Sequence, residues 1–145
     1  MTDRCFLVSC VAQKRANPSK ARDLYVSDWF TKVRRYVEFA GAPWFILSAE
    51  HGLLNPDTVV EPYEKTLLKM DIAARRAWAA RVIGEMESSL PQCDEIVVFA
   101  GARYREFFMD YLTRRARRVS VPLEGLRIGE QLSWLGSHQP ERPRS

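Results

Sequence analysis

The stretch Arg4-Cys5-Phe6-Leu7-Val8-Ser9-Cys10 decides the fold. It is an unbroken apolar run ending in small polar residues, the pattern of a strand buried on both faces of a parallel sheet. Trp44-Phe45-Ile46-Leu47-Ser48 and Glu95-Ile96-Val97-Val98-Phe99-Ala100 repeat the pattern, and residues 117–121 give a shorter fourth candidate. Helical patterns lie between these runs. Ser27 is placed to cap a helix reaching about Ala40, with Trp29, Phe30, Val33, Tyr36, Val37 and Ala40 recurring at spacings of three and four. Gly41 ends it. Asp71 caps a second helix to about Leu90, in which Ala74, Trp78, Val82 and Met86 are spaced by four. Gly101 turns into a third helix, with Tyr104, Phe107, Phe108, Tyr111 and Leu112 on its inner side, and residues 128–135 suit a last one. Strands alternating with helices predict a three-layer α/β fold of about four mostly parallel strands, with helices on both faces.

The length of 145 residues suits one domain, predicted over residues 1–136. Residues 137–145 hold two prolines and no core residue and read as a disordered tail. No run approaches a membrane span, and no basic-then-apolar leader opens the chain, so a soluble cytoplasmic protein without a membrane partner is expected. The three cysteines, Cys5, Cys10 and Cys93, form no CxxC pair, and there are only two histidines. Neither a metal site nor a cofactor is expected from that ligand supply. The net charge is +4, and 17 of the 22 cations are arginine. Arginine suits forked recognition of phosphate, but a GC-rich genome would write the same excess.

In open parallel sheets, ligands bind beyond the carboxyl ends of the strands. Here those ends carry small residues with polar groups close behind. Ser9-Cys10 leads to Lys14, an anion-binding candidate, with Arg22 further along the same connection. Cys10 reads either as a nucleophile or, more simply, as a buried small hydrophobe. Ser48 leads into Glu50-His51-Gly52, the most chemically loaded triplet of the chain. The segment from Ala49 to Leu68 reads as one long irregular loop, and such loops are usually functional. It contains Glu61-Pro62-Tyr63, where proline stiffens the presentation of the Glu61 carboxylate for general-base work, unless Glu61 only pairs with an arginine. Gly101, Arg103 and Tyr104 fall at a helix start that would attract an anion, although Tyr104 also fits the apolar face. Arg114, Arg115, Arg117 and Arg118 cluster at a helix end, where a solvated charge run is the simpler reading and phosphate contact the alternative.

These residues carry a resemblance. Leu47-Ser48-Ala49-Glu50-His51-Gly52-Leu53-Leu54 with Pro56, followed by Glu61-Pro62-Tyr63, resembles a signature of the YaaA peroxide-stress family. The chain is still more similar to a family of small bacterial domains of unknown function. Those combine a strand ending S-C-x-x-x-K, this loop, a G-x-x-Y turn and a closing P-L-x-G-L-x-I-G-x-Q-L-x-W-L, which stands here as Pro122 to Leu135 and includes Gln131. The layout also resembles the uracil-DNA-glycosylase-like group, which includes enzymes that remove modified bases, some in phage defence. That resemblance implies an N-glycosidase acting on a modified base in nucleic acid, in phage defence or DNA repair. DNA is the expected partner, with RNA or a nucleotide as alternatives.

On that expectation Glu61, Glu50 and His51 are the catalytic candidates. Ser9, Cys10, Lys14, Arg22, Ser48, Tyr63, Gly101, Arg103, Tyr104 and Gln131 are the substrate-binding ones. Two other functions stay open: a non-catalytic nucleic-acid-binding module of a stress response, and an enzyme acting on a free nucleotide or nucleoside.

Overall fold

The computed structural model describes residues 2–139. In chain order its elements are β1 (Thr2–Ser9), β2 (Ser19–Lys20), α1 (Ala21–Leu24), α2 (Asp28–Ala40), β3 (Trp44–Ser48), β4 (Gly52–Leu54) and β5 (Val59–Val60). A 3₁₀ turn at Leu67–Lys69 precedes α3 (Ile72–Ser89), β6 (Cys93–Phe99), α4 (Ala102–Arg105), α5 (Met109–Arg115), β7 (Arg118–Ser120) and α6 (Ile128–Ser137). Five strands form one sheet in the order β4-β3-β1-β6-β7. Strands β3, β1, β6 and β7 are parallel, and β4 runs antiparallel on the β3 edge. The fold is therefore mixed α/β around a mostly parallel sheet, as the strand patterns predict.

The central strand β1 is buried from Cys5 to Ser9 because helices cover both its faces. On one face Phe6 and Phe99 meet Tyr36 of α2, and Phe99 meets Trp134 of α6. On the other, Trp78 of α3 packs against Tyr104 and Phe108. Ser27 caps α2 by accepting from the Phe30 N–H, and Gly41 ends that helix at φ +72°. Asp71 caps α3 in the same way through the Ala74 N–H.

Several expectations are corrected. The irregular stretch from Ala49 to Leu68 contains two strands. Gly52, at φ +70°, closes a turn that folds β4 back onto β3, and β5 pairs with β2 in a separate ribbon. The helix after Gly101 is two short ones. Ala40 and Ala74 are exposed, and Arg75 is buried in place of Ala74 because its guanidinium bonds Glu106 and the Met70 carbonyl. The tail expected from 137 lies outside the described residues beyond Gln139. Ser137 ends α6, and the Gln139 side chain donates to the Lys32 and Leu135 carbonyls.

Candidate functional site

The chain leaves β1 toward α2 on one face and leaves β6 toward α4 on the other. Adjacent parallel strands whose connections part in this way open a crevice at their carboxyl ends. A cleft of about 770 Å³ lies there. Ser9 and Cys10 from the end of β1, and Gly101 from the end of β6, line it. The β1–α2 connection contributes Gln13, Lys14 and Ser27, and the first turn of α2 adds Trp29. Tyr63, Glu64, Lys65, Thr66, Leu68 and Lys69 line it from the segment before α3, Tyr104 from α4, and Ile128 and Gln131 from α6.

A chain of hydroxyl groups fixes one wall. The Tyr63 hydroxyl lies 2.6 Å from that of Tyr25 and 2.8 Å from Ser48 Oγ. Ser48 Oγ also accepts from the His51 backbone N–H at 2.9 Å, and the Ser48 carbonyl accepts from the Trp78 indole at 3.0 Å. Burial pushes the Tyr25 and Tyr63 phenols up, so both stay protonated and able to donate. Tyr104 is pushed up to about 12, again by burial, and its hydroxyl lies 3.5 Å from Cys10 Sγ.

Lys14 is the cation of this wall. Its ammonium lies 4.4 Å from the Tyr63 ring centre and 5.7 Å from that of Tyr25. Cation–π contacts of this kind contribute on the order of 0.5–2 kcal/mol. Burial lowers the Lys14 pKa, and the nearby Cys10 and Glu64 work against that shift. Lys65 and Lys69 add two cations, and Glu64 is the one carboxylate among the lining residues. The cleft is thus cationic, and Trp29, Tyr63 and Tyr104 give it aromatic surface.

The structure brings Ser9, Cys10, Lys14, Tyr63, Gly101, Tyr104 and Gln131 to this cleft, and it does not bring the rest. Glu61 is exposed at the outer end of the segment, directly after β5, and the chain reaches the cleft only from Tyr63 onward. Glu50 is exposed outside the lining, 4.0 Å from Lys65 Nζ. His51 packs edge-on against Tyr63, ring centres 5.5 Å apart, without lining the cleft. The three catalytic candidates of the sequence therefore do not form its walls. Ser48 is fully buried and acts through Tyr63. Arg22 pairs with Glu38 and, at 2.8 Å, with Asp57, in a network that Arg34 extends to Asp23. It ties α1 to α2 instead of facing a ligand. Arg103 is exposed outside the lining, and α4 is a single turn, too short for a useful dipole. Gln131 is committed: its Oε1 accepts from Trp29 Nε1 at 2.9 Å, and its Nε2 donates to the Leu126 carbonyl at 3.0 Å.

Sequence reasoning missed Glu64, Lys65, Lys69, Tyr25 and Trp29. Glu64 and Lys65 follow Glu61-Pro62-Tyr63 directly and Lys69 comes four residues after Lys65, so the polar residues beyond the proline were the signal, while the proline drew attention to Glu61 alone. Trp29 read as helix face, which it is, but the first turn of α2 starts at the strand ends and so also borders the cleft.

Among the described residues no helix is long and apolar enough to cross a membrane, and no group of three His, Cys, Asp or Glu side chains is placed to hold a metal ion. The uncharacterized protein YfjM of Bacillus subtilis (strain 168) is 27% identical over 139 residues, covering 90% of this chain and 87% of that one. No solved structure matches. A family model described as a family of unknown function, DUF6884, matches residues 5–137, which span the whole sheet from Cys5 and every wall of the cleft. The chain belongs to the DUF6884 family of unknown function.

Proposed function

We propose that the cleft holds one nucleotide unit and that the protein hydrolyses its N-glycosidic bond. The observation that carries this reading is the convergence of Glu64, Lys14 and the aromatic surface of Trp29, Tyr63 and Tyr104 on one cleft at the strand ends. A volume of about 770 Å³ accommodates a nucleotide. Aromatic faces suit a base, and cations suit its phosphate. The choice of an N-glycosidic bond follows what the layout resemblance to the uracil-DNA-glycosylase-like group, read from the sequence, would imply. A modified base, removed in phage defence or DNA repair, is part of the same implication.

In the proposed step the Glu64 carboxylate takes a proton from water as the water oxygen bonds to C1′. The C1′–N bond breaks, and its electron pair leaves with the base. Lys14 is the cation placed to balance the charge that develops on that base. Release of free base, followed by chromatography, tests the reading on mononucleotides and on modified and plain oligonucleotides. Glu64→Gln should lower the rate by about 10²- to 10⁴-fold while binding is kept. Binding without base release from any substrate would leave a nucleotide-binding module in place of an enzyme.

A further inference from the structure

The mouth of the cleft has an unusual rim. Leu68, on the 3₁₀ turn, is 71% exposed, and Ile128, at the start of α6, is 63% exposed. Both line the cleft from different elements. Lys65 and Lys69 flank Leu68 in sequence and line the same opening. Single exposed aliphatic residues are ordinary. Two at one opening, with cations beside them, leave apolar area uncovered where a polyanion is attracted. A free mononucleotide filling the cleft would leave such a rim unused.

We propose that the rim is a contact surface for a nucleic-acid strand, so that the nucleotide in the cleft belongs to a polymer. Resting on the nucleotide reading above, this names the source of the unit. Charge complementarity selects the occupant: the lining carries three lysines and one glutamate, so it stays net cationic even with Glu50 4.0 Å from Lys65, and a strand brings a phosphate for every nucleotide. Leu68 and Ile128 pack against the bases beside the one held inside, as aliphatic side chains do at nucleic-acid interfaces. Lys65 and Lys69 take the phosphates on either side of that unit.

Competition binding of the full chain tests the idea, with a fluorescent single-stranded hexanucleotide against the corresponding mononucleotides. The oligonucleotide should bind at least about tenfold more tightly, the equivalent of one base contact. Leu68→Ser, at an exposed position that does not threaten folding, should erase most of that ratio, and Ile128→Ser should reduce it. Equal affinity for the two ligands, or a ratio that Leu68→Ser leaves unchanged, overturns the strand contact. Base release from mononucleotides with no oligonucleotide preference would overturn the rim alone and leave the N-glycosidase reading intact. A Leu68-dependent preference without base release would do the reverse.

Discussion

Lys14 sits where its charge is costly. Burial lowers its pKa from the usual 10.5, so the folded protein gives up this proton more readily than the unfolded chain does. Below the lowered value the lysine is charged in both states, and the desolvation cost is fully present. As pH rises through that value toward 10.5, the native state releases the proton first and the cost falls away. The melting-temperature difference between Lys14→Met and the parent protein should therefore be more positive at about pH 7 than at about pH 10.5. If the cleft holds a nucleotide as proposed, the same variant should lose stabilisation by nucleotides. Thermal melts at the two pH values check the first part, and an equal shift at both would contradict it. Ser48 tests the hydroxyl chain. It is fully buried, and Ser48→Ala removes one partner from Tyr63 and one from the His51 N–H. The expected loss is about 1–3 kcal/mol in urea unfolding, the cost of leaving buried polar groups unpaired. Neither effect was legible beforehand. Lys14, Ser48 and the tyrosine that joins them, Tyr63, stood out as polar residues near strand ends, but Tyr25, which completes the hydroxyl chain, lies in what reads as loop.

At the scale of elements, the turn from β3 into β4 shows what local sequence leaves open. Gly-Leu-Leu has neither alternation nor length to announce a strand. The Glu85 carboxylate, 32 residues further on in α3, accepts from the Leu53 N–H of this stretch at 3.0 Å. A Cβ on Gly52 would lie 2.1 Å from that carboxylate oxygen, and φ there is +70°. Gly52→Ala should therefore cost about 1–2 kcal/mol from the left-handed backbone alone, with more from displacing Glu85. Equilibrium denaturation measures the loss, and a neutral result would mean that β4 is not held this way. By contrast β1, β3 and β6 were legible, because continuous apolar runs of that length have few alternatives in a small domain. The caps Ser27, Gly41 and Asp71 were legible too, since each acts on the chain beside it. The same locality explains why Glu61 stood out and Glu64 did not. Proline beside Glu61 is a local signal, whereas the position of Glu64 over the strand ends depends on where the β2–β5 ribbon hands the segment on.

Across the whole molecule, the two groups of cations lie at opposite ends of the sheet. Lys14, Lys65 and Lys69 border the cleft at the carboxyl ends of β1 and β6. Arg115, Arg117 and Arg118 lie at the other end, where the parallel strands begin. Arg115 bonds the Leu90 carbonyl, Arg117 lies 4.0 Å from Asp94, and Arg118 pairs with Glu95 in the sheet register. The excess of arginine in the composition thus contributes little to the cleft, whose cations are all lysines. If a strand binds at the cleft, its affinity should fall with salt through the lysines and not through the distant arginines. Each phosphate contact contributes a slope of about 0.7 in log affinity against log salt for single strands. The double variant Lys65→Ala/Lys69→Ala should flatten that slope by about 1–1.4 and weaken binding. Arg117→Ala/Arg118→Ala should leave the slope unchanged, since both side chains are exposed at the far end. Titration of a labelled oligonucleotide over a range of salt concentrations measures all three slopes. The reverse pattern would move the nucleic-acid surface to the other end of the sheet and separate it from the cleft.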